Sequence, residues 1–171
     1  MAKLARAALG HYLDSTFANV AATASWFKIG VDIEDLSVSL NPDVQTIKNV
    51  FDESRVTDNG YEPTMDADPY YANPGEALYP KLRDIALGRK RGDDCKTLIL
   101  EVIVDDTGDT NHLAYIEEVI VKPQSYGGAT GGVNIPFNIA FNGNRKKGYV
   151  SATSLTAGAP VFTAGEIPSG S

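Results

Sequence analysis

Thr97-Leu98-Ile99-Leu100-Glu101-Val102-Ile103-Val104, then Asp105-Asp106-Thr107-Gly108-Asp109-Thr110, then the run from His112 to Val121 closed by Pro123, is the stretch on which the fold turns. Two long β-branched runs separated by a short Asp- and Gly-rich segment predict an antiparallel hairpin over 97–121. Beyond it, Gly127-Gly128-Ala129-Thr130-Gly131-Gly132 is a flexible connection into a further strand that ends at Asn142-Gly143. No catalytic or metal-binding set converges near this ribbon. It reads as a builder of surface.

Upstream, Trp26-Phe27-Lys28-Ile29-Gly30-Val31-Asp32-Ile33 begins the β content, and Leu36, Val38 and Leu40 share one strand face. Asn41-Pro42-Asp43 signals a turn, Val44 to Val50 is extended, and Asn59-Gly60 predicts a hairpin or loop tip. Residues 51–75 are polar, acidic and rich in proline, which predicts a long acidic loop of the kind that is usually functional. Tyr61, Tyr70 and Tyr71 in that loop suggest contact area on another molecule, since aromatic rings are enriched at interfaces. Packing back onto their own domain is equally open. Residues 76–91 predict one amphipathic helix, with Pro80 in its first turn and Leu78, Leu82, Ile85 and Ala86 on one face. Gly88 or Gly92 ends it, and Arg89, Lys90 and Arg91 suit the negative end of its dipole. Residues 1–24 read as an N-terminal arm, and 151–171 as a last weak strand and flexible tail.

These elements predict a mainly β (α+β) chain: an antiparallel sandwich or barrel-like core with one long hairpin and one flanking helix, in a single domain over 1–150. Among 171 residues, 43% hydrophobic and 22% charged, there is ample material for a core. One cysteine, Cys95, excludes an internal disulfide and reads as a small half-buried side chain. No apolar run approaches the ~20 residues of a membrane span, and folding in the cytoplasm is expected. The net charge of −7 argues against a dedicated nucleic-acid binder. Its distribution is segregated: acids dominate 51–73 and 93–118, while bases dominate 81–92 and recur at Arg145-Lys146-Lys147. Opposite charges of this kind orient head-to-tail partners.

Catalytic readings are weak. Asp106-Thr107-Gly108 follows an apolar strand as in aspartic proteases, yet a hairpin turn needs Asp and Gly for conformation alone. Asp105, Asp106, Asp109 and Asn111 lack the alternation and distal Glu of a calcium loop. The 127–132 glycines lack the Lys-Ser/Thr ending of a phosphate loop. Arg91-Gly92-Asp93 is a chance tripeptide, and His11 and His112 are too dispersed for a metal site. Neither an enzyme nor a cofactor is expected.

In order, the early strands, the acidic insertion, the lone helix, the long hairpin and Gly127-Gly128 leading to Asn134-Ile135-Pro136-Phe137-Asn138-Ile139-Ala140-Phe141-Asn142-Gly143 resemble a major tail protein, the tail tube subunit of a long-tailed bacteriophage. The resemblance covers roughly residues 25–150. It implies hexameric rings that stack into a tube, with strands of each subunit forming a continuous barrel around a channel for DNA that is passed without specific binding. It also implies a place in the virion tail, assembly in the bacterial host cytoplasm, and tape-measure, tail-terminator and tail-tip partners. On that reading Glu101, Glu117 and Glu118 are candidate lumen-facing acids. Tyr61, Tyr70, Tyr71, Asp66 and Asp68 are candidate inter-subunit loop contacts, and Arg89, Lys90, Arg91, Arg145, Lys146 and Lys147 a candidate basic interface. The alternative from another class is a β-sandwich module that recognises a glycan or surface receptor through Tyr61, Tyr70, Tyr71 and Trp26.

Overall fold

The computed structural model describes residues 2–30 and 33–168. Val31 and Asp32 of the expected early strand run, and 169–171 of the expected tail, lie outside the described residues. The elements in chain order are β1 (Leu9–Asp14), β2 (Trp26–Lys28), β3 (Val38–Ser39), β4 (Pro42–Lys48), β5 (Ser54–Tyr61), β6 (Thr64–Ala67) and helix α1 (Leu78–Gly88). There follow β7 (Lys96–Ile103), β8 (Asn111–Pro123), β9 (Phe137–Phe141), β10 (Lys146–Ser151), helix α2 (Ala152–Thr156) and β11 (Phe162–Ala164).

Nine strands form one curled antiparallel sheet, seven of them in the order β2-β1-β7-β8-β9-β6-β3 with β10 paired to β8 and β11 to β10, and β4 and β5 form a separate two-stranded ribbon. The β7–β8 hairpin is its spine, pairing Lys96 with Ile120 through Ile103 with Leu113. At 13 residues β8 is long enough to serve two neighbours on its other edge. β10 pairs with Asn111 to Ile116, and β9 pairs with Val119 to Pro123. Glu117 and Glu118 face the turn that joins those two strands, where Gly143 N donates to Glu117 Oε2 and Asn142 N to the Glu118 carbonyl.

At this split the buried face changes sides. Along β8 the buried positions are His112, Ala114 and Ile116, then Glu117, Val119 and Val121. Alternate residues of a strand point to opposite faces, so one face is covered up to Ile116 and the other from Glu117 onward. β7 switches likewise, burying Thr97 and Ile99 and then Leu100 and Val102. Ile99 pairs with Glu117 and with Leu13, and Leu100 pairs with Ile116 and with Tyr12. The switch is therefore a single line across three strands.

Two cores follow from it. The larger packs Leu78 and Leu82 of α1, with Leu36 and Tyr70, over Leu13, Ile99, Val119, Val121, Phe137 and Ile139. The smaller lies on the opposite face, where Trp26, Leu155 of α2 and Phe162 cover Tyr12, Leu100, Val102, Ala114 and Val150. Phe162 lies directly over Gly148, where any Cβ would come within 2.5 Å of its ring. Only glycine lets β11 lie this close to β10. Helix α1 ends at Gly88, with Arg89 left-handed at φ 49° and Lys90 N donating to the Ile85 carbonyl.

The stretch expected as a long acidic loop, 51–75, carries two strands, β5 and β6. β6 is an interior strand, paired with β9 and β3. Asn59-Gly60 is not a tip: it lies inside β5, opposite an irregularity between Pro42 and Val44, and Gly60 at φ 91° relieves it. The turn of the ribbon is at 49–53. The Asn49 side chain accepts from the backbone N–H groups of Phe51 and Glu53, and Asp52 is left-handed at φ 66°. An Asn side chain bonding ahead to backbone is a turn device in its own right, which is why no Gly is needed there.

Candidate functional site

The ribbon is the most conspicuous surface. Eight residues of β5 extend about 26 Å at ~3.3 Å each. It exposes apolar side chains on both faces: Val44 and Val56 lie on one, Ile47 on the other. Val50 is 94% and Phe51 78% exposed at its turn. A two-stranded ribbon is marginal by itself in water, and apolar side chains here gain nothing from the subunit's own cores.

The second feature is a charge cluster on the switch line. Arg145 Nη1 donates to Glu101 Oε1 and to Glu117 Oε1, each at 2.9 Å, and the guanidinium lies 4.5 Å over the Tyr115 ring. His11, on β1, is buried with Nδ1 3.3 Å from Glu101 Oε2. Burial pushes the Glu101 carboxyl up, but His11 and Arg145 outweigh it and hold it below the ordinary glutamate range. Glu101 thus contributes stability above its unfolded value of about 4.3, and that contribution is lost as pH falls through the lower folded value. The melting temperature of the wild type should therefore drop more between pH 6 and pH 3 than that of Glu101→Gln. Equal drops in parallel thermal melts would show that the cluster is not linked to acid unfolding.

The structure separates the candidate acids. Glu101 and Glu117 share one face and both bind Arg145, whereas Glu118 points to the other. Hydrogen bonds from Asn19 and Asn142 hold the Glu118 carboxyl below its usual range. The candidate loop contacts also divide. Tyr61 and Tyr71 are exposed, but Tyr70 is only 8% exposed, edge-on to Phe27 and Phe137, with its hydroxyl donating to Glu76 Oε2. Tyr70 is a core residue. Asp66 accepts from Asn138 across the β6–β9 pair, and Asp68 is exposed at the end of β6. Of the basic set, Lys147 pairs with Glu166 at 3.0 Å and Lys146 is exposed. Arg89, Lys90 and Arg91 are exposed and make no ion pair among the described residues.

Asp106, considered for proteolysis, accepts from Gly108 N and shapes the hairpin turn. Cys95 is buried, its Sγ donating to the Lys90 carbonyl. Among the described residues no group of three His, Cys, Asp or Glu side chains is placed to hold a metal ion, and no helix is long and apolar enough to cross a membrane.

The chain is similar to the tail tube of SPP1, solved by solid-state NMR and cryo-EM, with a TM-score of 0.60 at 14% identity over 85% of this chain and 78% of that one. It is also similar to the sheath/tube terminator of PVC, an extracellular contractile injection system, in the extended state: TM-score 0.52 at 10% identity, over 86% of this chain and 97% of that one. No family model and no curated protein sequence matches the chain. At these identities the likeness is one of fold, and the chain has a tail-tube-type fold.

Proposed function

We propose that the chain is a non-enzymatic structural subunit that assembles into hexameric rings, stacked as the tube of a phage tail through which DNA passes. The observation that carries this reading is the β4–β5 ribbon, which exposes Val44, Ile47, Val50, Phe51 and Val56 to solvent and has no core of its own. Such an element is completed by a neighbouring molecule, and copies of the same chain are the economical source in a tail-tube fold. Tape-measure, terminator and tip proteins are then its other partners, and the virion tail its location, with assembly in the host cytoplasm.

The half of the sheet left bare opposite the larger core suits a channel wall. Across it run Lys96, Ile120, Ala140 and Thr64 in one row, and Lys122, Asn138 and Asp66 in the next. This polar surface carries both signs of charge, so it offers DNA no strong field to bind. Glu118 lies on that side; Glu101 and Glu117 do not. Asp66 is better assigned to this wall than to a subunit contact.

The receptor-binding alternative needs Tyr61, Tyr70, Tyr71 and Trp26 on one patch. Tyr70 is in the larger core, and Trp26 packs on the smaller one. Negative-stain microscopy of the purified chain, concentrated across a salt series, tests the assembly reading. Tubes or stacked rings with a central hole are expected; compact monomers at every concentration, even with a tail-tip complex added as initiator, would refute it.

A further inference from the structure

We propose that the basic C-terminal end of α1 is the surface on which the β4–β5 ribbon of a second copy of this chain docks; the proposal rests on the assembly reading above. The two elements carry opposite charge. Residues 42–62 hold Asp43, Asp52, Glu53, Asp58 and Glu62 against Lys48 and Arg55. Lys48 and Asp52 pair with each other, which leaves Asp43, Glu53, Asp58 and Glu62 in excess over Arg55. Residues 78–91 hold Lys81, Arg83, Arg89, Lys90 and Arg91 against Asp84, which pairs with Arg83. Within the subunit no hydrogen bond or ion pair between described residues joins the ribbon to α1.

The order of chemistry also matches. The ribbon turn presents Val50 and Phe51 and then Asp52 and Glu53. The helix presents Leu87, 59% exposed, and then Arg89, Lys90 and Arg91. Apolar contact flanked by opposite charge is the pattern of a specific interface. The receiving turn is held in place before any partner arrives. Lys90 N donates to the Ile85 carbonyl, and the Lys90 carbonyl accepts from Cys95 Sγ and Lys122 Nζ. A preorganised surface loses less entropy on binding. Of the other cations expected at an interface, Arg145 and Lys147 are occupied by Glu101, Glu117 and Glu166 within the subunit.

The test compares tube assembly by sedimentation and negative stain for the full chain. Arg89→Glu/Lys90→Glu/Arg91→Glu should raise the critical concentration at least about tenfold while circular dichroism melts stay at the wild-type value. Asp52→Lys/Glu53→Lys should do the same, and the two sets combined should return it to within about threefold. With the buried Cys95 left in place, mixing Leu87→Cys protein with Phe51→Cys protein should give a disulfide-linked heterodimer under oxidation. Wild-type tubes with unaffected variants, or charge reversals that fail to compensate, overturn the docking and leave the assembly reading standing. A disulfide formed only within one chain, when both cysteines are placed on it, also overturns it. Unaltered tubes that lose retention of added duplex DNA would assign the three cations to phosphate instead. A wild type that never assembles, with or without an initiator, removes both readings together.

Discussion

Aspartate at Val119 or at Val102 is expected to prevent folding, whereas aspartate at Ile120 or Ile103, one residue along the same strands, should leave a folded monomer. Val119 and Val102 are both buried, yet their side chains point to opposite faces of the sheet. Val119 contributes to the larger core and Val102 to the smaller. A carboxylate in either place has no cation to meet, and its burial costs several kcal/mol against a total stability of about 5–15 kcal/mol. Ile120 and Ile103 lie on the opposite half-faces, outside both cores and only partly buried, where a polar replacement costs about 1 kcal/mol or less. Soluble yield and circular dichroism melts of the four variants would show the pattern. Unfolding of Ile103→Asp would mean that the buried face does not change sides on β7.

The second large effect is at Arg145. Replacing it with methionine leaves Glu101 and Glu117 side by side with side-chain exposures of only 12% and 7%. Breaking a buried ion pair from one side costs about 3–5 kcal/mol. The guanidinium itself is 40% exposed, so solvent screening reduces this to about 2–3 kcal/mol. For a chain of this length that corresponds to a melting temperature lower by about 5–10 °C. Adding Glu101→Gln and Glu117→Gln should recover more than half of the loss, because the like charges are then gone. A single Arg145→Met variant that melts like the wild type would show that water serves the two carboxylates as well as the arginine does.

The hairpin 97–121 and α1 were legible because each shows the period of its element over many residues. Val-, Ile- and Leu-rich runs dictate strands, and Leu78, Leu82 and Ile85 dictate a helix face. The switch of faces was not legible. It leaves both Ile99 and Leu100 buried, and a strand covered on both sides reads the same as one whose cover changes sides. The ribbon was illegible for a related reason. Its sequence, Ser54-Arg55-Val56-Thr57-Asp58-Asn59-Gly60-Tyr61, is polar because water bathes both faces, and polarity with an Asn-Gly pair signals a loop. The acids of the candidate set could have been sorted further: Glu117 and Glu118 are adjacent, so in any strand they point apart.

The outer edges of the main sheet are short: three residues in β2, two in β3 and three in β11. An edge of that length offers an approaching chain only a few backbone hydrogen bonds, each with a net gain of about 0.5–1.5 kcal/mol. That falls short of the 4–15 kcal/mol lost when two free molecules become one. On the assembly reading, two copies that meet through these edges alone therefore part again. A subunit that meets a rim already built touches several neighbours at once, and those gains add while the cost is incurred only once. Growth of such a polymer has a lag followed by rapid extension, with the lag removed by a preformed seed. On that reading the time and place of polymerisation are set by whatever supplies the seed, and the chain would accumulate beforehand without committing itself.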